Sequence, residues 1–389
     1  MVSSAYRPPR DEGFDKSTGL RRPRIICKTT VHGCVIGNHT ATSHLPQVVE
    51  RAGCLGYAQP MNILLLGGTR FVGRHIAEAA LQRGHTVSTF TRGTNPLPGT
   101  ESLVGDRQKG DLKALEGRTW DAVVDVNGYL PREVREAIAV LKGRVGRYAF
   151  ISTVSVYRES SEPLDETSPL QTLADPTVEK VTGETYGGLK VLCELEVERA
   201  FGSQSFVVRP HLVVGPHDPT DRFTYWPRRF AGGGRVLVPG QPEHTLQYVD
   251  ARDLGAFVVL GLEEELSGAY NGAATPVSWG SLVEACRQAA PTPAEAVWAD
   301  EQWLLDNQVT PWADLPAWIP SFAPGRGIAQ TQNVRAVAAG FTMRPLLQTV
   351  QDILAWDKAR TEPLKAGMSR ERELELIQHW LSRSALHKD

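Results

Sequence analysis

The sequence predicts an α/β protein, a doubly wound parallel sheet followed by a smaller C-terminal lobe. Three observations lead there. Residues 61–68, Met-Asn-Ile-Leu-Leu-Leu-Gly-Gly, are an apolar run closed by two glycines, the pattern of a buried parallel strand that turns into a helix. From that point to Arg209, strand-like and helix-like segments alternate, the order expected of βαβ units with ligands at the carboxyl ends of the strands. After Pro210 the texture changes to glycine, proline and aromatic residues, as in Gly-Pro-His-Asp-Pro-Thr-Asp-Arg-Phe at 215–223.

In chain order, residues 62–67 form the first strand and 71–83 the first helix, followed by strands at 86–91, near 102–105 and at 121–126. A helix at 131–142, a strand at 147–152, a helix at 184–201 and a strand at 205–209 complete a sheet of about six or seven strands. The sheet domain spans 61–210, with 246–262 returning to it, which leaves 211–245 and 263–389 to the C-terminal substrate-binding lobe. Four tryptophans, Trp298, Trp303, Trp312 and Trp318, fall in one short stretch, and their expected role is packing. Residues 345–358 and 369–382 read as amphipathic helices. Residues 1–60 show little periodicity and are expected to be a poorly ordered extension, with Met61 as an alternative start. Cys27, Cys34, His39 and His44 match no structural zinc spacing, and no metal is expected.

The chain has 389 residues, and 42 Lys+Arg against 44 Asp+Glu leave a net charge of −2, so charge gives no broad reason to bind nucleic acid or an anionic membrane. No apolar stretch reaches the roughly 18 residues that span a bilayer, and the start lacks the order of a secretion signal. The five cysteines, odd in number and widely spaced, fit reduced thiols. A cytoplasmic protein with no membrane partner is expected.

The most informative segment is Gly67-Gly68-Thr69-Arg70-Phe71-Val72-Gly73, after the first strand and opening the first helix. In this Rossmann-type context Gly67 makes the tight turn, Gly73 lets the helix approach the strand, and the helix N-terminus offers amide donors to a pyrophosphate. Arg70 stands at the middle glycine position, bringing bulk and a charge that pairs with phosphate. Thr91 and Arg92 end the second strand, where proteins that prefer NAD place an acid; an arginine there suits the 2′-phosphate of NADP. Asp106, ending the third strand, is placed to contact adenine or to cap a turn. Pro210 completes the expected cofactor set.

Tyr186 and Lys190 are four residues apart on one helix face, and a lysine cation beside a phenol favours phenolate near neutral pH. The preceding strand delivers Ser152, Thr153 and Ser155 to the same sheet edge. With Val208-Arg-Pro-His-Leu-Val-Val-Gly-Pro216 and Tyr248-Val-Asp-Ala-Arg-Asp-Leu254, these motifs make residues 61–275 resemble the extended short-chain dehydrogenase/reductase superfamily of NAD(P)-dependent epimerases, dehydratases and reductases. The resemblance implies Thr153 as hydroxyl partner, with Ser155 in reserve, Tyr186 as acid/base, Lys190 on the nicotinamide ribose, and a homodimer. The Gly-Gly-Thr-Arg-Phe-Val-Gly turn looks like an atypical branch that includes chloroplast stem-loop RNA-binding proteins, some of which have given up the catalytic residues. Leu212 stands where sugar-nucleotide epimerases carry asparagine, leaving room for a small carbonyl or polyol besides a sugar nucleotide. Arg222, Tyr225, Arg228 and Arg229 are candidates for an anionic group on such a substrate, or ordinary surface residues. The expectation is an NADP-preferring oxidoreductase or epimerase that moves hydride to or from a carbonyl or carbinol; the alternative is a dinucleotide-sensing or RNA-binding protein of the same fold.

Overall fold

The computed structural model describes residues 59–386. Chain order runs β1 Asn62–Leu66, α1 Val72–Gln82, β2 Thr86–Thr91, β3 Glu101–Val104, β4 Trp120–Asp125, α2 Pro131–Leu141, β5 Val145–Ile151, α3 Tyr186–Phe201 and β6 Ser205–Pro210. It continues with β7 Val213–Val214, α4 Tyr225–Ala231, β8 Gly234–Pro239, β9 Thr245–Leu246, β10 Val249–Asp250, α5 Ala251–Glu263, β11 Gly268–Gly272 and β12 Val277–Ser278. The last elements are α6 Trp279–Ala289, β13 Ala294–Ala299, α7 Glu301–Asp306, α8 Val334–Ala338, α9 Leu346–Asp357 and α10 Arg370–Leu386.

Seven parallel strands form the main sheet in the order β11-β6-β5-β4-β1-β2-β3. Strand order reverses between β1 and β4, which opens a crevice at their carboxyl ends. Successive residues of β1 face opposite layers: Ile63 and Leu65 pack with α1 and α5, Leu64 and Leu66 with the side chains of α2 and α3. Both faces are covered, so every second position cannot be polar, and the strand reads as a continuous apolar run.

The return of 246–262 to the sheet domain takes the form of α5, packed against α1. The return extends further than those residues, however. Gly268–Gly272, in the stretch assigned by sequence to the C-terminal lobe, pairs in register with β6 and is the seventh strand. The lobe is built on β8 and β13, paired in parallel, and on an aromatic core of Phe223, Trp226, Phe230, Trp279 and Trp318. Trp226 and Trp279 meet edge to face at 4.8 Å, and the Trp226 indole donates to the Pro316 carbonyl at 2.8 Å. Of the four tryptophans expected to pack, Trp303 and Trp318 are buried in this core, and Trp298 and Trp312 lie partly buried against it. Residues 1–58, including Cys27, Cys34, His39 and His44, lie outside the described residues. Among the described residues no helix is long and apolar enough to cross a membrane, and no cluster of His, Cys, Asp and Glu could hold a metal ion.

One buried charge stands at the sheet's centre. Asp125, ending β4, is wholly buried; Arg107 donates to its two oxygens at 2.6 and 2.9 Å, and the Tyr148 hydroxyl donates at 2.8 Å. Asp125→Ala leaves the Arg107 cation buried and unpaired, and is expected to cost about 3–5 kcal/mol. Tyr148→Phe removes one charge-assisted hydrogen bond, about 1.5–3 kcal/mol. Urea denaturation of both variants checks the order; equal costs would show that the ion pair matters no more to stability than the single hydrogen bond.

Candidate active site

Two neighbouring hollows open at the carboxyl edge of the sheet. The first, about 370 Å³, is lined by Gly67, Gly68, Thr69, Arg70, Thr91, Arg92, Asp106, Arg107, Asn127 and Tyr129, among others. Its floor is the glycine turn. Gly67 has φ +78°, and a Cβ there would fall 2.1 Å from the Asn127 side-chain oxygen. A Cβ on Gly73 would fall 2.6 Å from the Gly68 carbonyl, so only glycine lets α1 begin against the turn. Helix α1 has no side chain capping its N-terminus and no acid in its first turn, leaving amide donors and the positive end of the dipole for an anion. A cradle of small residues and uncapped amides, with two exposed arginines, Arg70 and Arg92, beside it, fits a dinucleotide diphosphate.

Other expected cofactor residues are distributed around this turn. Phe71 is the N-cap residue of α1 and packs on His75, Gly73 lies behind the turn, and Val72 and Pro210 reach the second hollow. Asp106 lines the first hollow and also caps the short turn Arg107–Lys109, accepting from the Gln108 amide at 3.1 Å.

The second hollow, about 450 Å³, shares Tyr129 with the first and holds Ser152, Thr153, Ser155, Tyr186, Lys190 and Arg222. Strand β5 and helix α3 thus bring the three expected catalytic side chains together. The Thr153 hydroxyl donates to that of Ser155 at 3.2 Å and accepts from the Ser155 amide at 3.1 Å, so Ser155 supports Thr153. Burial pushes the Tyr186 phenol above its ordinary value of 10.0, while a hydrogen bond with Thr153 and the positive charge of Arg222 act in the opposite direction. Burial brings the Lys190 ammonium down to about 8. Lys190 donates to the carbonyls of Gly128 and Ile151, each at 2.8 Å, and lies 4.0 Å from the centre of the Phe150 ring.

This corrects one expectation. The sequence places a cation beside the phenol and so predicts a lowered pKa; in the folded chain the ammonium is turned toward main-chain oxygens and desolvation of the phenol dominates.

A second correction concerns the substrate candidates. Arg222 lines the hollow, its guanidinium 5.8 Å from the Trp312 ring centre and its Nε donating to the Thr220 hydroxyl at 3.1 Å. Tyr225, Arg228 and Arg229 do not line it. They belong to α4, where Tyr225 is buried, Arg228 pairs with Asp357 at 3.3 Å and Arg229 with Glu373 at 2.6 Å, so they hold α4 to the helices of the lobe. Proximity in sequence misleads here because Arg222 lies in the turn before α4 and reaches the hollow, whereas α4 carries the other three away from it.

Residues that sequence reasoning missed include Tyr129, His211, Trp312, Ile319 and Ile328. Tyr129 follows the carboxyl end of β4, and position alone would have flagged it. Its ring lies 6.3 Å from that of Tyr186 and 5.6 Å from the Lys190 nitrogen. His211 is held in one tautomer: its Nδ1 accepts from the Leu212 amide at 2.7 Å, and its Nε2 faces the Ile328 carbonyl at 2.9 Å.

Residues 117–272 match the model of the NAD dependent epimerase/dehydratase family. The chain resembles that family over this segment, less than half of its length. The segment carries β4, β5, Thr153, Tyr186, Lys190 and β11. The fold is shared with solved structures of low sequence identity. The Bordetella bronchiseptica enzyme WbmH, solved in complex with NAD+, is 18% identical, with a TM-score of 0.58 over 78% of this chain and 99% of that one. A UDP-N-acetylglucosamine 4-epimerase from Bacillus cereus is 17% identical, with a TM-score of 0.55 over 76% and 99%. A UDP-glucose 4-epimerase from Thermotoga maritima, solved with UDP-glucose, is 17% identical, with a TM-score of 0.54 over 78% and 100%. A curated relative, the chloroplast stem-loop binding protein of 41 kDa b of Arabidopsis thaliana, is 27% identical over 255 residues, 59% of this chain. The match spans 64% of that relative's length.

Burial lowers the His211 pKa from 6.5 to about 4. Between those values the unfolded chain binds a proton that the folded chain refuses, so stability falls as pH drops through this window, by about 3 kcal/mol from this residue. Urea denaturation at pH 7, 5.5 and 4.5 is expected to show a shallower decline for His211→Gln than for the parent; identical slopes would remove His211 from the acid response.

Proposed function

We propose that the chain is an NADP-preferring oxidoreductase or epimerase acting at a carbonyl or carbinol carbon of a small-molecule or sugar-like substrate. The observation that carries the reading is the placement of Tyr186 and Thr153 on the floor of a hollow whose wall, Tyr129, is also a wall of the glycine-turn hollow. The nicotinamide dinucleotide supplies or accepts the hydride when bound. Tyr186, a phenol that keeps its proton at neutral pH, delivers it to the substrate oxygen as the carbonyl is reduced. Thr153 orients that oxygen, Arg222 meets an anionic group on the substrate, and Lys190 orients the ribose.

Loss of water from the substrate is the less favoured course. Elimination needs an acid on the departing hydroxyl and a base on the neighbouring carbon, and no aspartate or glutamate is among the described residues lining the second hollow. His211 has both ring nitrogens engaged and Lys190 is held by two carbonyls. That leaves Tyr186 as the proton carrier, enough for redox chemistry at one carbon. Buried free thiols at Cys193 and Cys286 agree with a reducing, cytoplasmic setting, and a homodimer is the assembly proposed with this reading.

The stem-loop binding relative favours one other reading, a protein that binds RNA on the same fold. Gel shifts against a stem-loop RNA over a salt series decide it: binding that weakens steeply with salt supports RNA recognition, and no complex at low salt disposes of it.

Tyr186→Phe is expected to lower kcat about 10²- to 10⁴-fold while NADPH binding, followed by nicotinamide fluorescence, stays intact. Normal turnover would take Tyr186 out of the mechanism. Arg92→Ala is expected to weaken NADPH about ten- to a hundredfold and leave NADH nearly unchanged; an unaltered ratio of the two dissociation constants would end the NADP assignment.

A further inference from the structure

Beyond the catalytic floor, the C-terminal lobe carries another hollow, about 510 Å³, that neither the dinucleotide turn nor Tyr186 reaches. It lies where the ends of β8 and β13 meet the start of α7, closed on one side by the 321–322 loop and on another by α10. Three aromatic side chains, Trp298, Phe322 and Trp380, stand among its walls, together with the amides of Gln241 and Gln302. Phe322 is 52% exposed, a large ring left in water at the rim.

The lining selects a class of ligand. No lysine or arginine is among the described residues lining this hollow, whereas Asp300 and Glu301 are, so a phosphate there would meet carboxylates first; the basic groups beside it are the His244 ring and Arg383, which sits on Trp380. A wholly apolar ligand would leave the Gln302 carbonyl oxygen and the Ser321 lone pairs without partners. A neutral sugar ring satisfies both sets of groups: its C–H faces cover aromatic surface and its hydroxyls donate to carboxylates and exchange hydrogen bonds with amides.

The floor is also rigid. Glu301 is buried and accepts from the Trp318 indole at 2.9 Å, from the Ser321 amide at 3.0 Å and from the Ser321 hydroxyl at 2.5 Å. With its proton committed to Glu301, the Ser321 oxygen offers its lone pairs to a ligand hydroxyl. The Gln302 amide nitrogen donates to Asp306 at 2.9 Å, which fixes its side chain and leaves its carbonyl oxygen as an acceptor.

This hollow is joined to the catalytic one by shared walls. His244 and Ser321 also line an intervening hollow of about 240 Å³, and Ile319 belongs both to that one and to the hollow holding Tyr186. The three hollows therefore adjoin, the middle one also carrying Glu243 and Arg326, an arrangement that a chain of sugar units would span and a single monosaccharide at Tyr186 would not.

We propose that the Trp298–Phe322 hollow is a subsite for a neutral oligosaccharide. On the redox reading of Tyr186, on which this second step rests, the substrate is a saccharide chain that presents one end, with the anionic group that Arg222 meets, to Tyr186 and docks a later, neutral ring in the lobe.

The test is calorimetric titration of the full chain with cellohexaose, maltohexaose, xylohexaose and mannohexaose in turn, with NADPH titrated in parallel. At least one hexaose is expected to bind, and Phe322→Ala to weaken it about tenfold with the melting temperature and NADPH affinity unchanged. Gln302→Ala, at an exposed position, is a second variant that perturbs the same subsite without touching the core. No binding by any of the four, or binding indifferent to both variants, overturns the subsite. Hexaose binding that responds to Phe322→Ala in a protein that fails to bind NADPH upholds the subsite and overturns the redox reading alone.

Discussion

A fully buried carboxylate ends the central strand, and the functional edge of the sheet is organised by the need to compensate its charge. Burial alone would drive Asp125 to take up a proton; the Arg107 guanidinium beside it, with the Tyr148 hydroxyl, outweighs desolvation and holds it below the usual carboxylate range. Compensation of this kind demands good geometry, because each charge would be costly without the other. The result is that the turn after β3, the end of β4 and the middle of β5 are tied together from within. Arg107 also donates to the Glu133 carbonyl at 3.1 Å, which brings the first turn of α2 into the same network. One wall of the dinucleotide hollow is therefore a core ion pair and not a surface contact.

The same negative charge acts on Lys190. Burial lowers the lysine, and attraction to Asp125 is among the effects that oppose it. Its carbonyl partners come from just beyond β4 and from the last residue of β5, so the ammonium pins two strand ends beneath the hollow that holds Tyr186. The Phe150 and Tyr129 rings supply further stabilisation of the cation. Lys190 is thus a structural cation of the sheet edge as well as a candidate for binding ribose.

Much of this was legible in the sequence, and the exceptions have physical causes. Strands β1 to β6 and helices α1 to α3 follow from apolar runs and spacing because the layers covering the sheet impose those patterns. Strand β11, Gly-Ala-Tyr-Asn-Gly, carries two glycines and an asparagine and lacks a strand's signature; it is a strand because β6 offers an open edge to pair with. The placement of the glycine turn in one hollow and of Thr153, Tyr186 and Lys190 in the other was legible because strand ends and helix starts bring these positions to one edge of the sheet. The charge state of Tyr186 was not, because spacing on a helix does not say where a lysine's four methylenes carry its nitrogen. Nor was the division among Arg222, Tyr225, Arg228 and Arg229, which depends on which side of α4 meets α9 and α10. His211, Trp312, Ile319 and Ile328 reach the hollow from segments far apart in the chain, and no local pattern joins them.

The electrostatics of Tyr186 show how the two parts of the fold share the chemistry. A phenol raised by burial is a proton donor at neutral pH, suited to reduction; use as a base in the opposite direction requires positive potential at its oxygen. Of the two cations lining the hollow, Arg222 acts to lower the phenol's pKa, and Lys190 is engaged with carbonyls. Arg222 stands outside the main sheet, just before α4, with its guanidinium near Trp312 of the lobe. An anionic group on the substrate that drew Arg222 to itself would weaken this effect and favour the protonated phenol, whereas a neutral substrate would leave the cation free to assist proton removal. On the proposed redox reading the sheet supplies the acid and the lobe side supplies a charge that acts on it, so the proton affinity of the phenol responds to what the lobe binds.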